Sequence, residues 1–128
     1  MVKLTNKEEE VMKILWRLKK AFVKDILDEV DAPKPHYNTM STIVRNLVDK
    51  NYVGYEAFGN SHRYYPLIDK EQYREAFIHE SMADFYDDSY KGLVSFFAKK
   101  EKITADELRE ILEIIEKKNG WFFIPILA

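Results

Sequence analysis

The chain has 128 residues, no cysteine, 46% hydrophobic and 33% charged residues, and a net charge of -2. This composition suits one compact domain, or a small domain with an appendage, and excludes a disordered chain, a disulfide framework and thiolate metal sites. The opening MVKLTNKEEE has no apolar signal-peptide core and no stretch reaches the length of a membrane span, so the expectation is a cytoplasmic protein without membrane insertion.

Thr5 and Glu8 stand at the spacing of a capping box, and Val11, Ile14, Leu15 and Leu18 then recur with helical period. A first helix over about 6–19 follows, with Met12 and Trp16 widening its apolar face. Phe22, Val23, Ile26, Leu27 and Val30 mark a shorter second helix, stopped by Pro33 and Pro35. A third opens near His36 and carries Met40, Ile43, Val44, Leu47 and Val48 on one side. Asn38, Thr39, Ser41, Thr42, Arg45 and Asn46 take the other. The period then changes from 3.6 to 2. Val53–Phe58, a Gly59-Asn60-Ser61 turn and His62–Tyr65 predict a hairpin that Pro66 ends.

Beyond it, Asp69 can cap a helix bearing Tyr73, Phe77, Ile78, Met82 and Phe85, and Ser89 one bearing Leu93, Val94, Phe96 and Phe97. Thr104 and Glu107 form a second capping box before Leu108, Ile111, Leu112 and Ile115. The chain closes on the apolar WFFIPILA, residues 121–128. Such a segment is expected to tuck against a neighbouring helix or a partner subunit.

Three helices and a hairpin in this order predict a mainly α chain with a small β-hairpin wing. Residues 1–68 form a winged helix-turn-helix DNA-binding domain, and residues 69–128 a helical dimerisation domain. The outward side of the third helix has the chemistry for duplex DNA. Its hydroxyls and amides can bond base edges or phosphates, a threonine methyl can meet that of thymine, and Arg45 can fork onto guanine or grip a phosphate. No acid interrupts that side before Asp49. A merely solvated helix would carry Glu and Lys there instead. His62 and Arg63 flank the turn of the wing, where contacts to the DNA backbone would fall. Residues 1–68 hold 11 Lys and Arg against 9 Asp and Glu, and residues 69–128 hold 9 against 13, so any DNA contact belongs to the front half.

The back half offers Tyr73, Phe77, Phe85, Phe96, Phe97, Leu108, Ile111 and Ile115, more apolar side chains than three short helices can bury alone. Pairing two copies would cover them and supply the two-fold symmetry that a palindromic operator requires. No enzyme is expected. His36, His62 and His79 are not at metal-ligand spacing, four glycines form no phosphate loop, and no nucleophile–base set can be assembled. No metal and no cofactor are called for.

The stretches EEEVMKILW, YNTMSTIVRNLVDK and RYYPL resemble the penicillinase-repressor family of winged-helix regulators, over about Leu4 to Lys118. The resemblance implies a homodimeric repressor of double-stranded operator DNA. It also implies relief of repression when a membrane-bound zinc-protease sensor triggers cleavage in the C-terminal domain. The family's recognition helix falls on Asn38 to Asn46, with its two threonines at Thr39 and Thr42. His36-Tyr37 replaces the usual Ser-Pro start, Asn38 a common lysine and Asn46 a frequent arginine, so the operator sequence differs. The family's cleaved Asn-Phe bond corresponds to Phe96-Phe97, a departure at the first residue. Copper sensing, found in one branch, needs cysteines that this chain lacks. Two other functions fit the same pattern: a winged helix gated by a small molecule near Tyr55, Tyr65 or Tyr73, and a protein-interaction module that has lost DNA.

Overall fold

In a computed structural model, which describes residues 2–87 and 89–120, Thr5 opens the first helix as its spacing to Glu8 predicts. The Glu8 amide donates to Thr5 Oγ1 at 3.2 Å and the Thr5 amide to Glu8 Oε1 at 2.8 Å. Two amides that the helix leaves without partners are thereby satisfied. The helix, α1 (Asn6–Leu18), buries Val11, Met12, Ile14 and Leu15. α2 (Val23–Glu29) is closed at its start by Asp25, whose Oδ2 accepts from the Phe22 amide at 2.9 Å. α3 (Tyr37–Asp49) buries Met40, Val44 and Leu47, so its aliphatic side faces inward.

Strands β1 (Val53–Phe58) and β2 (Ser61–Pro66) pair antiparallel, with Val53 opposite Pro66 and Phe58 opposite Ser61. The turn is therefore the two residues Gly59-Asn60. Ser61, assigned to the turn on sequence grounds, belongs to the second strand. Gly59 has φ 60°, a left-handed conformation that glycine adopts without a steric cost. Ala21 forms an isolated bridge to the outer edge of β2: its amide donates to the Tyr64 carbonyl at 2.9 Å, and the Tyr64 amide donates back at 2.7 Å.

Helices and hairpin close over one core. Leu4, Val11, Met12, Ile14, Leu15, Ala21, Val23, Ile26, Met40, Val44, Leu47, Tyr52 and Val53 are its buried members. Three helices followed by this hairpin make a winged helix. Trp16 lies at the edge, its Nε1 donating to the Ile68 carbonyl at 2.8 Å.

Glu8 is the buried charge of the core, 3% exposed. Its Oε1 lies 2.6 Å from Lys50 Nζ, so the start of α1 is ion-paired to the residue that ends α3. Burial pushes the carboxyl up, but hydrogen bonds from Lys50 and Thr5 hold it below its ordinary value of 4.5. A carboxyl lowered on folding stabilises above its unfolded pKa and loses that contribution as pH falls through the folded value. Glu8→Gln is therefore expected to cost about 1–3 kcal/mol at pH 7. In urea titrations the gap to the parent should shrink toward pH 3, and a gap independent of pH would contradict the assignment.

α4 (Lys70–Phe85) begins with a reciprocal cap in which the Gln72 amide donates to Asp69 Oδ1 at 2.7 Å and the Asp69 amide to Gln72 Oε1 at 2.9 Å. The chain divides into two compact units, Met1–Ile78 and His79–Ala128, and the division falls inside this helix. Tyr73 lies on the near side of it. Its ring centroid is 5.7 Å from Trp16 and 6.0 Å from Tyr52, and its hydroxyl donates to Glu9 Oε2 at 2.8 Å. Grouped on sequence grounds with the pairing residues, Tyr73 is packed on the winged-helix core of its own chain.

In the second unit, Ser89 caps α5 (Tyr90–Lys99) through the Gly92 amide at 3.0 Å. Thr104 and Glu107 form their capping box at the start of α6 (Ala105–Gly120). Those two bonds hold the Glu107 carboxyl below its ordinary value. Among the described residues of this unit, Met82 alone is buried. Phe85 is 79% exposed, and Phe96, Phe97, Ile111, Leu112, Ile114 and Ile115 are exposed as well. The expected tucking of segment 121–128 falls outside the described residues. Among the described residues no helix is long and apolar enough to cross a membrane.

Candidate nucleic-acid interface

With Met40, Val44 and Leu47 turned into the core, the helical period forces Asn38, Thr39, Ser41, Thr42, Arg45 and Asn46 onto the opposite side of α3. All are exposed except Ser41, which is half-buried. Thr42 Oγ1 donates to the Asn38 carbonyl at 3.0 Å. Its hydrogen is thus committed to its own helix, and what it presents outward is a methyl group and an acceptor. Asp49 is an exposed acid on the same side in the last turn, at the end away from the N-terminal residues that a recognition helix inserts.

Tyr37, Ser41 and Arg45, spaced by four, run along one edge of that side. They line a groove of about 650 Å3 together with Phe22, Lys24 and Asp25 from α2 and its cap, and Asn60, Ser61, His62 and Tyr64 from the hairpin. The groove thus joins α3 to the wing. Burial pushes the Tyr64 phenol up, the nearby Tyr37 and Tyr55 hydroxyls add to this, and Arg45 opposes it.

The two wing residues singled out in the sequence part company here. Neighbours on a strand point to opposite faces. His62, opposite Ala57, stacks on Tyr55 at 4.3 Å with 13° between the rings, and lines the groove. Arg63, opposite Glu56, sits on the other face. Its guanidinium lies 4.7 Å above the Phe58 ring and 3.5 Å from Glu56 Oε2. Glu56 also takes Lys20 at 3.1 Å. The Lys20 hydrogen bond above all holds its carboxyl below the ordinary value, against the rise from burial, with the charge of Lys20 and then Arg63 adding to the lowering.

Phe22, Lys24, Tyr37 and Tyr64 went unremarked as site residues. Phe22 and Tyr64 read as ordinary apolar positions of a helix and a strand, and nothing in local spacing places Lys24 opposite Arg45. The small-molecule alternative drew on Tyr55, Tyr65 and Tyr73, which have three different surroundings. Tyr55 stacks on His62, Tyr65 lies across Gly54 on the other face of the hairpin, and Tyr73 packs on Trp16.

A family model described as "Penicillinase repressor" matches residues 4–117. The chain belongs to the penicillinase repressor family. This is a family of transcriptional repressors, not of enzymes. The match ends within one residue of the span carried by the sequence motifs. One similar family member is the methicillin resistance regulatory protein MecI of Staphylococcus aureus (strain N315), 28% identical over 120 residues, which cover 90% of this chain and 94% of that protein. The penicillinase repressor of Bacillus licheniformis is 24% identical over 122 residues, covering 91% and 92%. Among solved structures, the solution structure of the DNA binding domain of the repressor BlaI is 24% identical, covering 56% of this chain and 88% of that one, with a TM-score of 0.49.

Proposed function

We propose that this penicillinase-repressor relative is a cytoplasmic transcriptional repressor that binds a palindromic operator in double-stranded DNA as a homodimer. The observation that carries the proposal is the outward side of α3. Its amides, hydroxyls and single guanidinium stand clear of the core, without an acid before Asp49, and they border a groove shared with the wing. In this reading Asn38, Thr39, Thr42 and Asn46 meet base edges in the major groove, and the hairpin approaches the adjacent backbone. The second unit brings two copies together through the exposed apolar residues of α5 and α6.

Selection of bound duplexes from a random pool tests this directly. A symmetric consensus with half-sites about one helical turn apart is expected, with affinity falling steeply between 50 and 200 mM salt as counterions are released. Enrichment of no sequence, together with binding indifferent to salt, would sink it.

Relief of repression by a membrane-bound zinc-protease sensor acting on Phe96-Phe97 is the regulatory part of the proposal, supported by the family resemblance. The bond lies inside α5, so a protease would need that helix opened locally before its backbone could enter an active site.

A further inference from the structure

We propose that the groove between α2, α3 and the wing seats the sugar–phosphate backbone of one DNA strand, and that the His62 imidazole takes up a proton when it is filled, which couples duplex binding to pH. This rests on the DNA-binding reading above and adds to it the roles of Lys24, Arg45 and His62.

The first support is charge left without a partner. In the winged helix, Lys13 pairs with Glu9 at 3.7 Å, Arg17 with Glu29 at 2.7 Å, Lys50 with Glu8 at 2.6 Å, and Lys20 and Arg63 both with Glu56. Lys3, Lys7 and Lys19 are exposed cations without an ion pair among the described residues, and they do not line this groove. Lys24, Arg45 and His62 form no ion pair and no side-chain hydrogen bond among the described residues, yet three separate elements bring them to one groove. The one carboxylate lining it, Asp25, is turned back to cap the Phe22 amide at 2.9 Å. Ser41, Asn60 and Ser61 add neutral donors, and Phe22, Tyr37 and Tyr64 supply the walls. Two fixed cations against one self-capping acid, with hydroxyl and amide donors between, suit a phosphodiester. Arg45 lies on the edge of α3 with Tyr37 and Ser41, whereas Asn38, Thr39, Thr42 and Asn46 occupy the rest of the outward side. Arg45 is thereby assigned to the backbone and not to guanine.

The second support is the placement of His62. Its ring is clamped face-on by Tyr55 at 4.3 Å and meets Tyr64 edge-on at 6.1 Å, which fixes its plane beside the groove. The titratable and charged groups around it are Lys24 and Asp25 from α2, Tyr37 and Arg45 from α3, Tyr55 from β1 and Tyr64 from β2. Among these side-chain types the imidazole is the one whose charge changes in the physiological pH range. A phosphate in the groove favours the imidazolium, and by linkage the imidazolium favours the phosphate.

The test uses the full chain and the tightest duplex from the random-pool selection, with fluorescence anisotropy at pH 6.0, 7.0 and 8.0 and constant ionic strength. Affinity should rise by about tenfold per subunit from pH 8.0 to 6.0. His62→Gln, an exposed position, should show no pH dependence, its affinity at pH 6.0 matching its own affinity at pH 8.0. His36→Gln, which alters the other imidazole near α3, should keep it. Lys24→Gln and Arg45→Gln should each weaken all duplexes alike and reduce the salt slope by about 1. A parent protein insensitive to pH, a His62→Gln variant that retains the sensitivity, or an Arg45→Gln loss confined to one base pair would each overturn the inference. Failure of every variant to bind any duplex at any pH would instead overturn the repressor reading beneath it.

Discussion

Leu47→Ala should lower the unfolding free energy of the winged helix by about 2–5 kcal/mol, and duplex binding should fall with it. Leu47 has no exposed surface and lies in the core on the inner side of α3. Its removal leaves a cavity beneath the helix whose other side is the one proposed to meet DNA. Domains of this kind are held by about 5–15 kcal/mol, so a loss of this size brings the unfolded population into view near physiological temperature. Thr39→Ala, on the same helix but exposed, supplies the contrast. Its stability should stay within about 0.5 kcal/mol of the parent, while the base preference opposite it relaxes. Chemical denaturation followed by circular dichroism measures both, and a Leu47→Ala protein as stable as the parent would contradict the packing described for α3.

On the proposed homodimer, the double replacement Ile111→Asp with Ile115→Asp should give a monomer and weaken operator binding by about 10²–10⁴-fold. The two residues are four apart on α6, hence on one side of it, with exposures of 45% and 53%. Leu108 and Leu112 extend the same stripe, and Ile114 is 66% exposed beside it. Charges placed there disturb no interior among the described residues, so helical content should be unchanged. In a homodimer they would be forced together at the interface. The loss in affinity follows because a monomer engages one half-site and forgoes the high local concentration that a tethered second domain provides. Sedimentation velocity gives the assembly state and anisotropy the affinity. A variant that remains dimeric would place the pairing surface elsewhere.

The helices were legible because their information is local. Thr5 with Glu8 and Thr104 with Glu107 are capping pairs whose spacing alone announces a start, and the structure forms both in full. Pro33 and Pro35 marked the break before α3, and Gly59-Asn60 marked the reversal of the hairpin. What stayed hidden depends on contacts between residues far apart in sequence. The Ala21 bridge to Tyr64, the Glu8 pairing with Lys50 and the packing of Tyr73 on Trp16 join positions 43, 42 and 57 residues apart. The outward side of α3 could be read from period alone, whereas its partners across the groove could not. His62 and Arg63 looked equivalent in sequence, and only strand register, opposite Ala57 and Glu56, assigns them to different faces.

Ala21 lies between α1 and α2 and exchanges two amide–carbonyl bonds with Tyr64. The hairpin is therefore latched at mid-strand to the linker that leads into α2. A tilt of the wing to follow a wider or narrower minor groove would drag the start of α2 along, together with Lys24. In the proposed complex, wing and helix would consequently reach a duplex as one stiff jaw, and accommodation of an imperfect site would fall to the bending and twisting of the DNA.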